Sequence, residues 1–216
     1  MKDKMTVTAL IPAFNEEKTI APVIEILKSL AEVEEILVID DGSSDNTALK
    51  ARQAGSRVVS LEQNQGKGAA LQRGITESNS DIILMLDADL IGLKGNHIEK
   101  LLRPLYNNEA DMTVGVFSAG RGLTDLAQRF YPELSGQRAV KTQVIDDLGD
   151  LQQAGYGVEI ALNQHVKNHG RLIFVELPEL THLMKEEKRG LLQGVLARGK
   201  MYWELLKVWK QREKYQ

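Results

Sequence analysis

Short runs rich in valine, isoleucine and leucine alternate along this chain with longer segments of helical period. Apolar runs of about four to eight residues are typical of buried strands, and a period of about 3.6 residues is typical of helices. The predicted strands are 7–11, 35–39, 57–61 and 81–86, and the predicted helices are 19–30, 47–54 and 66–77. Because strands and helices alternate, we predict one α/β domain with a mostly parallel central sheet and crossover helices.

The pattern becomes less regular after residue 89. The elements predicted there are a helix over 97–106, a strand over 112–117, a loop over 118–122, a helix over 159–168, a strand over 171–176 and a long amphipathic helix over 190–214. A chain of 216 residues can close a single core, since the usual prior is roughly 150 residues per domain. We therefore predict one domain over 1–184 and a basic amphipathic helical tail over 185–216.

The composition excludes several classes of protein. The chain has no cysteine, which excludes disulfide frameworks, thiolate zinc sites and cysteine nucleophiles. With 27 basic and 30 acidic residues it has a net charge of −3, which argues against a nucleic-acid partner.

No apolar run approaches the roughly 18 to 20 residues that cross a bilayer, and the first residues lack a secretory pattern. A cytoplasmic location is expected.

Two aspartates, Asp87 and Asp89, follow the most hydrophobic predicted strand and are separated by Ala88. Two carboxylates beside an apolar strand are costly unless something compensates their charge. Mg²⁺ or Mn²⁺ with a diphosphate would do so, because these cations favour carboxylate and phosphate oxygens. A solvated turn at the strand end is the alternative, and for an isolated D-x-D it stays open.

Three other polar segments also follow predicted strands, namely PAFNEE (12–17), DDGSSDNT (40–47) and NQGKG (64–68). A cap on the helix predicted to begin at Thr47 would explain the polar residues 44–46, but not two consecutive aspartates. A carboxylate such as Asp41 can accept the imide N–H of a pyrimidine base. Because parallel strands place their carboxyl ends on one edge of the sheet, we predict that all four segments converge there.

Lys67 lies between Gly66 and Gly68 in the last of these segments. Facing the other strand ends, its ammonium would neutralise a nucleotide phosphate, whereas a simple loop before a helix is the alternative. The spacing does not fit G-x-x-x-x-G-K-[ST], and the first turn contains no G-x-G-x-x-G. P-loop and dinucleotide oxidoreductase functions are therefore excluded.

The segments ALIPAFNE (9–16), VIDDGS (38–43), NQGKG (64–68) and DAD (87–89) together resemble the nucleotide-sugar half of family 2 glycosyltransferases with the GT-A fold. The resemblance covers roughly residues 5–185. It implies a nucleotide-sugar half over about 1–91 and an acceptor half over about 92–184.

That resemblance also implies a nucleoside diphosphate sugar as partner and Mg²⁺ or Mn²⁺ as cofactor. Asp89 is implied as a metal ligand. The residues implied around the base, ribose, diphosphate and sugar are Pro12, Ala13, Asn15, Glu16, Asp41, Lys67, Asp87 and Ala88.

The second half is similar to two branches of that superfamily. The segment SGQRA (135–139) resembles the polyprenyl-phosphate (dolichyl-phosphate) mannosyltransferases, in which the arginine meets a phosphate. The segment GYGVE (155–159) and the later His182 resemble glucosyl-3-phosphoglycerate synthases, in which a histidine completes the metal site. Both acceptors are anionic, so we expect a phosphate-bearing small molecule or lipid. The residues expected around it are Ser135, Gly136, Arg121 and Arg138, with Arg129 as a further arginine of the clamp.

Two of these assignments have plain alternatives. His182 is a surface or helix-capping residue in one interpretation and a metal ligand in the other, which the resemblance favours. Glu159 is the best candidate for a general base or an acceptor-orienting carboxylate, because a hydroxyl nucleophile needs a base near its oxygen. Its alternative is an acid that interacts favourably with the dipole of its own helix. With Asp89 and Arg138, Glu159 completes the expected catalytic set.

The tail combines an apolar side, which includes Trp203 and Trp209, with nine basic and four acidic residues over 185–216. Three placements are open: packing on the domain, packing on a second copy as a homodimer, and peripheral contact with the inner membrane face. The lysine-rich polar side keeps the membrane placement open.

We expect a metal-dependent glycosyltransferase that moves a sugar from a UDP-glucose or GDP-mannose type of donor to a phosphate-bearing acceptor. A sugar-nucleotide nucleotidyltransferase is one alternative, although the basic glycine-rich first loop of that class is replaced here by PAFNE (12–16). A non-catalytic nucleotide-sugar binding protein is the other. Intact Asp87, Asp89 and His182 argue against it.

Overall fold

A computed structural model describes residues 5–117, 135–146 and 158–182. Its strands are β1 (Val7–Ala13), β2 (Glu35–Asp40), β3 (Arg57–Ser60), β4 (Ile82–Met85), β5 (Leu90–Ile91), β6 (Met112–Phe117), β7 (Arg138–Lys141), β8 (Leu172–Leu177) and β9 (Thr181–His182). Its helices are α1 (Ile20–Lys28), α2 (Thr47–Ala54), α3 (Lys67–Glu77), α4 (Gly95–Tyr106), α5 (Thr142–Ile145) and α6 (Val158–His169). Arg121, Arg129, the loop predicted over 118–122 and the tail lie outside the described residues.

Seven strands form the main sheet in the order β3-β2-β1-β4-β7-β6-β8. The pairs β1–β2, β1–β4, β2–β3 and β6–β8 are parallel. The mostly parallel α/β sheet predicted from the alternating pattern is thus confirmed. Every strand and helix predicted within the described residues is present, with bounds that differ by at most a few residues.

Strand β7 was not predicted, and it is antiparallel to both neighbours, β4 and β6. Its four residues are all buried, so they show no alternation of apolar and polar side chains. Arg138 and Lys141 at its ends also make the run look like a loop in sequence. By pairing with β4, β7 joins the second half of the chain to the first.

Two apolar layers cover the two faces of the sheet. On one face, side chains of β1 such as Ile11 pack with α1 and α4, whose buried residues recur at i, i+3, i+4 and i+7. On the other face, Leu10 packs with α3 and α6. A Cβ built on Gly74 of α3 would lie 2.1 Å from Leu10 Cδ1, so glycine is what allows this helix to approach β1.

The polar segments predicted to converge follow the carboxyl ends of β1 to β4, which lie at one edge of the sheet because these four strands are parallel. A second, two-stranded sheet of β5 and β9 lies beside that edge. Within the parts of the chain described above, no helix is both long and apolar enough to cross a membrane.

Candidate active site

Direct contacts link each of the four strand-end segments to the next, as predicted. The contacts are Ser44 N to Asn15 Oδ1 (2.9 Å), Gly66 N to Asp41 Oδ2 (2.9 Å) and Lys67 Nζ to Asp87 Oδ1 (2.8 Å). The side chains that the sequence predicted to meet therefore belong to one continuous polar surface.

The first strand end is organised by Asn15, whose backbone has a φ of 56°. Asparagine tolerates this left-handed conformation better than most residues, which explains its place after β1. Its N–H donates to Ser43 Oγ (2.9 Å), and the N–H of Glu16 donates to Thr47 Oγ1 (2.7 Å). Asn15 and Glu16 thus hold the loop after β2. Their predicted contact with the nucleotide sugar, like that of half-buried Pro12 and buried Ala13, stays a prediction.

The second strand end is organised by Asp41, which is buried beneath the loop 64–66. Its carboxylate accepts the N–H of Gln65 (2.8 Å), the N–H of Gly66 (2.9 Å) and Asn64 Nδ2 (3.0 Å). These bonds position the start of α3, where Lys67 is the first helical residue. Asp41 is therefore an anchor of this loop, and its predicted contact with the base stays a prediction.

Asp87, Asp89 and His182 form the chemical centre of this edge. One ligand atom from each lies within 4.8 Å of those of the other two, and all three side chains are half-buried. His182 Nε2 lies 3.6 Å from Asp87 Oδ2, and His182 Nδ1 lies 3.5 Å from Asp89 Oδ1. Buried Ala88 separates the two aspartates.

His182 reaches the aspartates through the small sheet. Strand β5 begins directly after Asp89, and Leu90 is paired with His182 in the antiparallel register of β5 and β9. The imidazole also packs against Phe117, with ring centroids 5.0 Å apart. A histidine more than 90 residues from the aspartates in sequence is thereby placed beside both of them. His182 thus lies on a strand, half-buried beside both carboxylates, and its role as a metal ligand stays a prediction.

Gln137 and Gly136 both contact Asp87. Gln137 was not among the site residues predicted from the sequence. The Gln137 side chain is buried, accepts the Asp87 N–H at Oε1 (3.0 Å) and donates from Nε2 to Asp87 Oδ2 (2.9 Å). A Cβ built on Gly136 would lie 2.4 Å from that same Oδ2. Ser135, also buried, accepts the Gln137 N–H at Oγ (3.3 Å). Ser135 and Gly136 thus lie under the aspartate, and their predicted contact with the acceptor stays a prediction.

Lys67 lies between two carboxylates. Its Nζ is 2.8 Å from Asp87 Oδ1 and 2.6 Å from Glu159 Oε1. Burial lowers the pKa of Lys67, but the charges of Asp87 and Glu159 outweigh that effect and hold the pKa above its ordinary value. Burial likewise raises the pKa of Asp87, yet the charge of Lys67 and the hydrogen bonds from Lys67 and Gln137 hold it well below its usual range. Glu159 therefore forms an ion pair with Lys67 in addition to any interaction with the dipole of α6.

Arg138 is buried at the start of β7. Its side chain is 1% exposed. The guanidinium donates to the carbonyls of Ser135 and Glu159 and to Asn163 Oδ1. Burial lowers its pKa, with the charges of Glu159 and Asp87 acting in the opposite direction. Through these hydrogen bonds Arg138 connects β7 to the first two turns of α6. Its predicted contact with the acceptor stays a prediction.

The donor set at this edge fits a divalent cation. Two carboxylates and an imidazole, all with ligand atoms within 4.8 Å, suit Mg²⁺ or Mn²⁺, and the oxygens of a diphosphate would complete the coordination. With Lys67 alongside, the edge can neutralise a leaving diphosphate.

Sequence comparison gives the family. The family model described as "Glycosyl transferase family 2" matches residues 8–153. A glucosyl-3-phosphoglycerate synthase of Mycobacterium tuberculosis is 34% identical over 194 residues, which are 73% of this chain and 59% of that protein. A dolichyl-phosphate beta-glucosyltransferase of Trichomonas vaginalis is 28% identical over 195 residues, 77% of this chain and 59% of that protein. The chain thus spans about three fifths of the length of these relatives.

Solved structures of similar fold point to the same family as the sequence comparison. A crystal structure of the M. tuberculosis glucosyl-3-phosphoglycerate synthase with phosphoglyceric acid matches with a TM-score of 0.71 at 31% identity, covering 84% of this chain and 73% of that chain. Another, in complex with Mn²⁺, UDP-glucose and phosphoglyceric acid, matches with a TM-score of 0.69 at the same identity and coverage. The GT-A fold predicted by resemblance is confirmed, and the chain belongs to glycosyl transferase family 2.

Proposed function

We propose that this chain transfers a glucosyl group from UDP-glucose to a phosphate-bearing acceptor of the phosphoglycerate type, in a reaction that needs Mg²⁺ or Mn²⁺. The observation that carries the proposal is the meeting of Asp87, Asp89 and His182 at the end of β4 in a family 2 chain. It is supported by the M. tuberculosis relative, whose crystals contain Mn²⁺, UDP-glucose and phosphoglyceric acid.

The charged residues of the site have three different proposed roles. Asp87, Asp89 and His182 would hold the cation, which, when bound, neutralises the diphosphate as it leaves. Lys67 adds a fixed positive charge beside Asp87. Glu159, whose carboxylate lies 2.6 Å from Lys67 Nζ, is the group on the acceptor side that can orient or deprotonate a hydroxyl.

The acceptor is proposed as a soluble phosphate because the relatives named glucosyl-3-phosphoglycerate synthase match at higher identity than the dolichyl-phosphate beta-glucosyltransferase. A phosphorylated hydroxy acid offers a hydroxyl nucleophile that needs Glu159, whereas a polyprenyl phosphate attacks through an already ionised oxygen. Arginine pairs are suited to binding such a phosphate, and Arg121, Arg129 and Arg138 are the proposed partners.

The direct test incubates the chain with UDP-glucose and Mn²⁺, and with 3-phosphoglycerate or a short polyprenyl phosphate. We expect UDP release and a glucosylated phosphoglycerate, detected by ³¹P NMR and mass spectrometry. Asp89→Asn should reduce kcat/KM at least about a hundredfold, because it removes a cation-binding charge. Glu159→Gln should reduce kcat more than it raises KM for the acceptor.

Glu25→Gln, an exposed change on α1, is the matched control and should leave turnover unchanged. A glucosyl lipid as the main product would sink the soluble-acceptor proposal. Metal-independent turnover, or an Asp89→Asn variant as active as the control, would sink the assignment of the site. Pyrophosphate release from a nucleoside triphosphate would indicate a nucleotidyltransferase instead.

For the tail over 185–216, we propose burial of its tryptophan side in a homodimer, with a cytoplasmic location. Sedimentation velocity should then give twice the 24.1 kDa of one chain, and Trp209→Glu should reduce it to a single chain. Flotation of the protein with anionic vesicles, together with a monomeric mass, would indicate peripheral contact with the inner membrane face instead.

A further inference from the structure

Gln137 lies directly beneath the candidate cation site and is fully buried. It is the residue before β7, and its backbone is held on both sides. The N–H of Gln137 donates to Ser135 Oγ (3.3 Å), and its carbonyl accepts the N–H of Gly115 (2.8 Å). The side-chain amide is therefore presented to the site by a fixed backbone.

The orientation of this amide follows from the groups around it. The backbone N–H of Asp87 is a donor only, so the atom that faces it at 3.0 Å must be the carbonyl oxygen Oε1. The NH₂ group then faces Asp87 Oδ2 at 2.9 Å and His182 Nε2 at 3.3 Å. Its two hydrogens match these two acceptors, one for each.

This arrangement selects a tautomer of His182. Because Nε2 accepts a hydrogen from Gln137, a neutral imidazole must carry its own hydrogen on Nδ1. Nδ1 lies 3.5 Å from Asp89 Oδ1, whose negative charge favours a hydrogen on the nitrogen that faces it.

We propose that Gln137 is a positioning residue that holds His182 in the Nδ1–H tautomer and thereby makes Nε2 the nitrogen that ligates the cation. The amide N–H donates to the Nε2 lone pair until the cation replaces it. The bond between Gln137 Oε1 and the Asp87 backbone N–H fixes the position of Asp87 relative to His182. The part that concerns the cation rests on the proposed function, whereas the tautomer is a property of the chain alone.

The tautomer is tested in the metal-free protein at alkaline pH by ¹⁵N-labelled imidazole NMR, with His182→Asn to assign the signal among the four histidines. We expect wild-type His182 to be Nδ1–H. Gln137→Met, of similar volume, should shift the population toward Nε2–H, and Gln137→Glu should invert it, because a carboxylate can only accept from Nε2. Mn²⁺ affinity, measured by EPR of free Mn²⁺, should fall about tenfold or more in Gln137→Met.

Thr113→Val is the matched control. Thr113 lies in the neighbouring strand β6. The substitution removes the buried hydrogen bond of 2.7 Å that Thr113 Oγ1 donates to the carbonyl of Leu101 in α4. It should lower stability while leaving the tautomer and Mn²⁺ affinity unchanged.

An Nε2–H signal from wild-type His182 would overturn the proposal, and this holds even if a variant fails to fold. An unchanged tautomer in Gln137→Met, or a changed tautomer with unchanged Mn²⁺ affinity, would overturn it as well. Absence of glucose transfer with the expected tautomers would count against the proposed function only.

Discussion

The carboxylate of Asp87 is contacted by side chains from three distant parts of the chain. Lys67 reaches it from the start of α3, Gln137 from the residue before β7, and His182 from β9. Gly136 closes the remaining side, because any side chain there would occupy the position of the carboxylate. The geometry of one aspartate therefore depends on three other segments of the chain.

Gly136→Ala should displace Asp87, since its Cβ would lie 2.4 Å from Oδ2 and 2.6 Å from Oδ1. We expect Mn²⁺ affinity to fall about tenfold or more, with a loss of stability of about 1–3 kcal/mol from overpacking. Calorimetric titration with Mn²⁺ and urea denaturation measure the two effects. Gly170→Ala, whose Cβ would lie nearest to Asp111, at 3.1 Å from its Cβ, is the control and should keep full affinity. Equal Mn²⁺ affinity in both variants would contradict this account of Gly136.

Sequence reasoning found the charged members of this site more readily than the neutral ones. Asp87 and Asp89 stand out because acids directly after an apolar strand are costly. Gln137 has no such signal, because a single amide next to an arginine fits any loop. Arginine in a sequence suggests a phosphate, and the structure adds that the Arg138 guanidinium also donates to the carbonyls of Ser135 and Glu159.

At the scale of elements, the site depends on how β9 is held. The turn before β9 is fixed by the start of α4, where His97 Nε2 bonds the carbonyl of Pro178 (2.9 Å) and His97 Nδ1 accepts the N–H of Lys94 (3.2 Å). A Cβ on Gly92 would lie 2.5 Å from the carbonyl of Glu179, so the two segments touch. Short strands such as β5 and β9 have no periodicity to recognise, which is why the sequence did not predict them.

His97 should make stability pH-dependent. Its burial lowers its pKa below the ordinary 6.5, with the bond to Pro178 opposing the shift. The unfolded chain therefore binds the proton more readily than the folded one. The stabilising contribution is complete above about pH 6.5 and is lost as the pH falls from there toward the folded pKa. The free energy of unfolding in urea, measured between pH 7.5 and 5, should decrease accordingly.

His97→Gln should be less stable than the wild type at pH 7.5, by about 1–2 kcal/mol, and should show a smaller decrease toward pH 5. His169→Gln changes an exposed histidine of α6 and should keep the wild-type decrease. If His97→Gln retains the full pH dependence, the buried imidazole is not its source.

At the scale of the whole molecule, the candidate cation site joins the two halves of the fold. Asp87 and Asp89 follow β4 in the first half of the chain, whereas His182 ends β9 in the second half. The sequence predicted the layers and the parallel strands from local patterns. It did not predict the antiparallel β7 that connects the halves, because that pairing depends on residues more than 50 positions apart.

Cation binding should therefore stabilise the entire fold. A ligand that binds only the folded chain adds about 2.7 kcal/mol at a hundred times its Kd, which for a domain of this size is a rise in Tm of roughly 5–10 °C. We expect Mn²⁺ to produce such a rise in differential scanning calorimetry, and EDTA to reverse it. Asp89→Asn should abolish most of the rise, because the unfolded chain has no assembled site and the variant has lost a ligand. Glu25→Gln should respond like the wild type, so an equal rise in both variants would place the cation elsewhere.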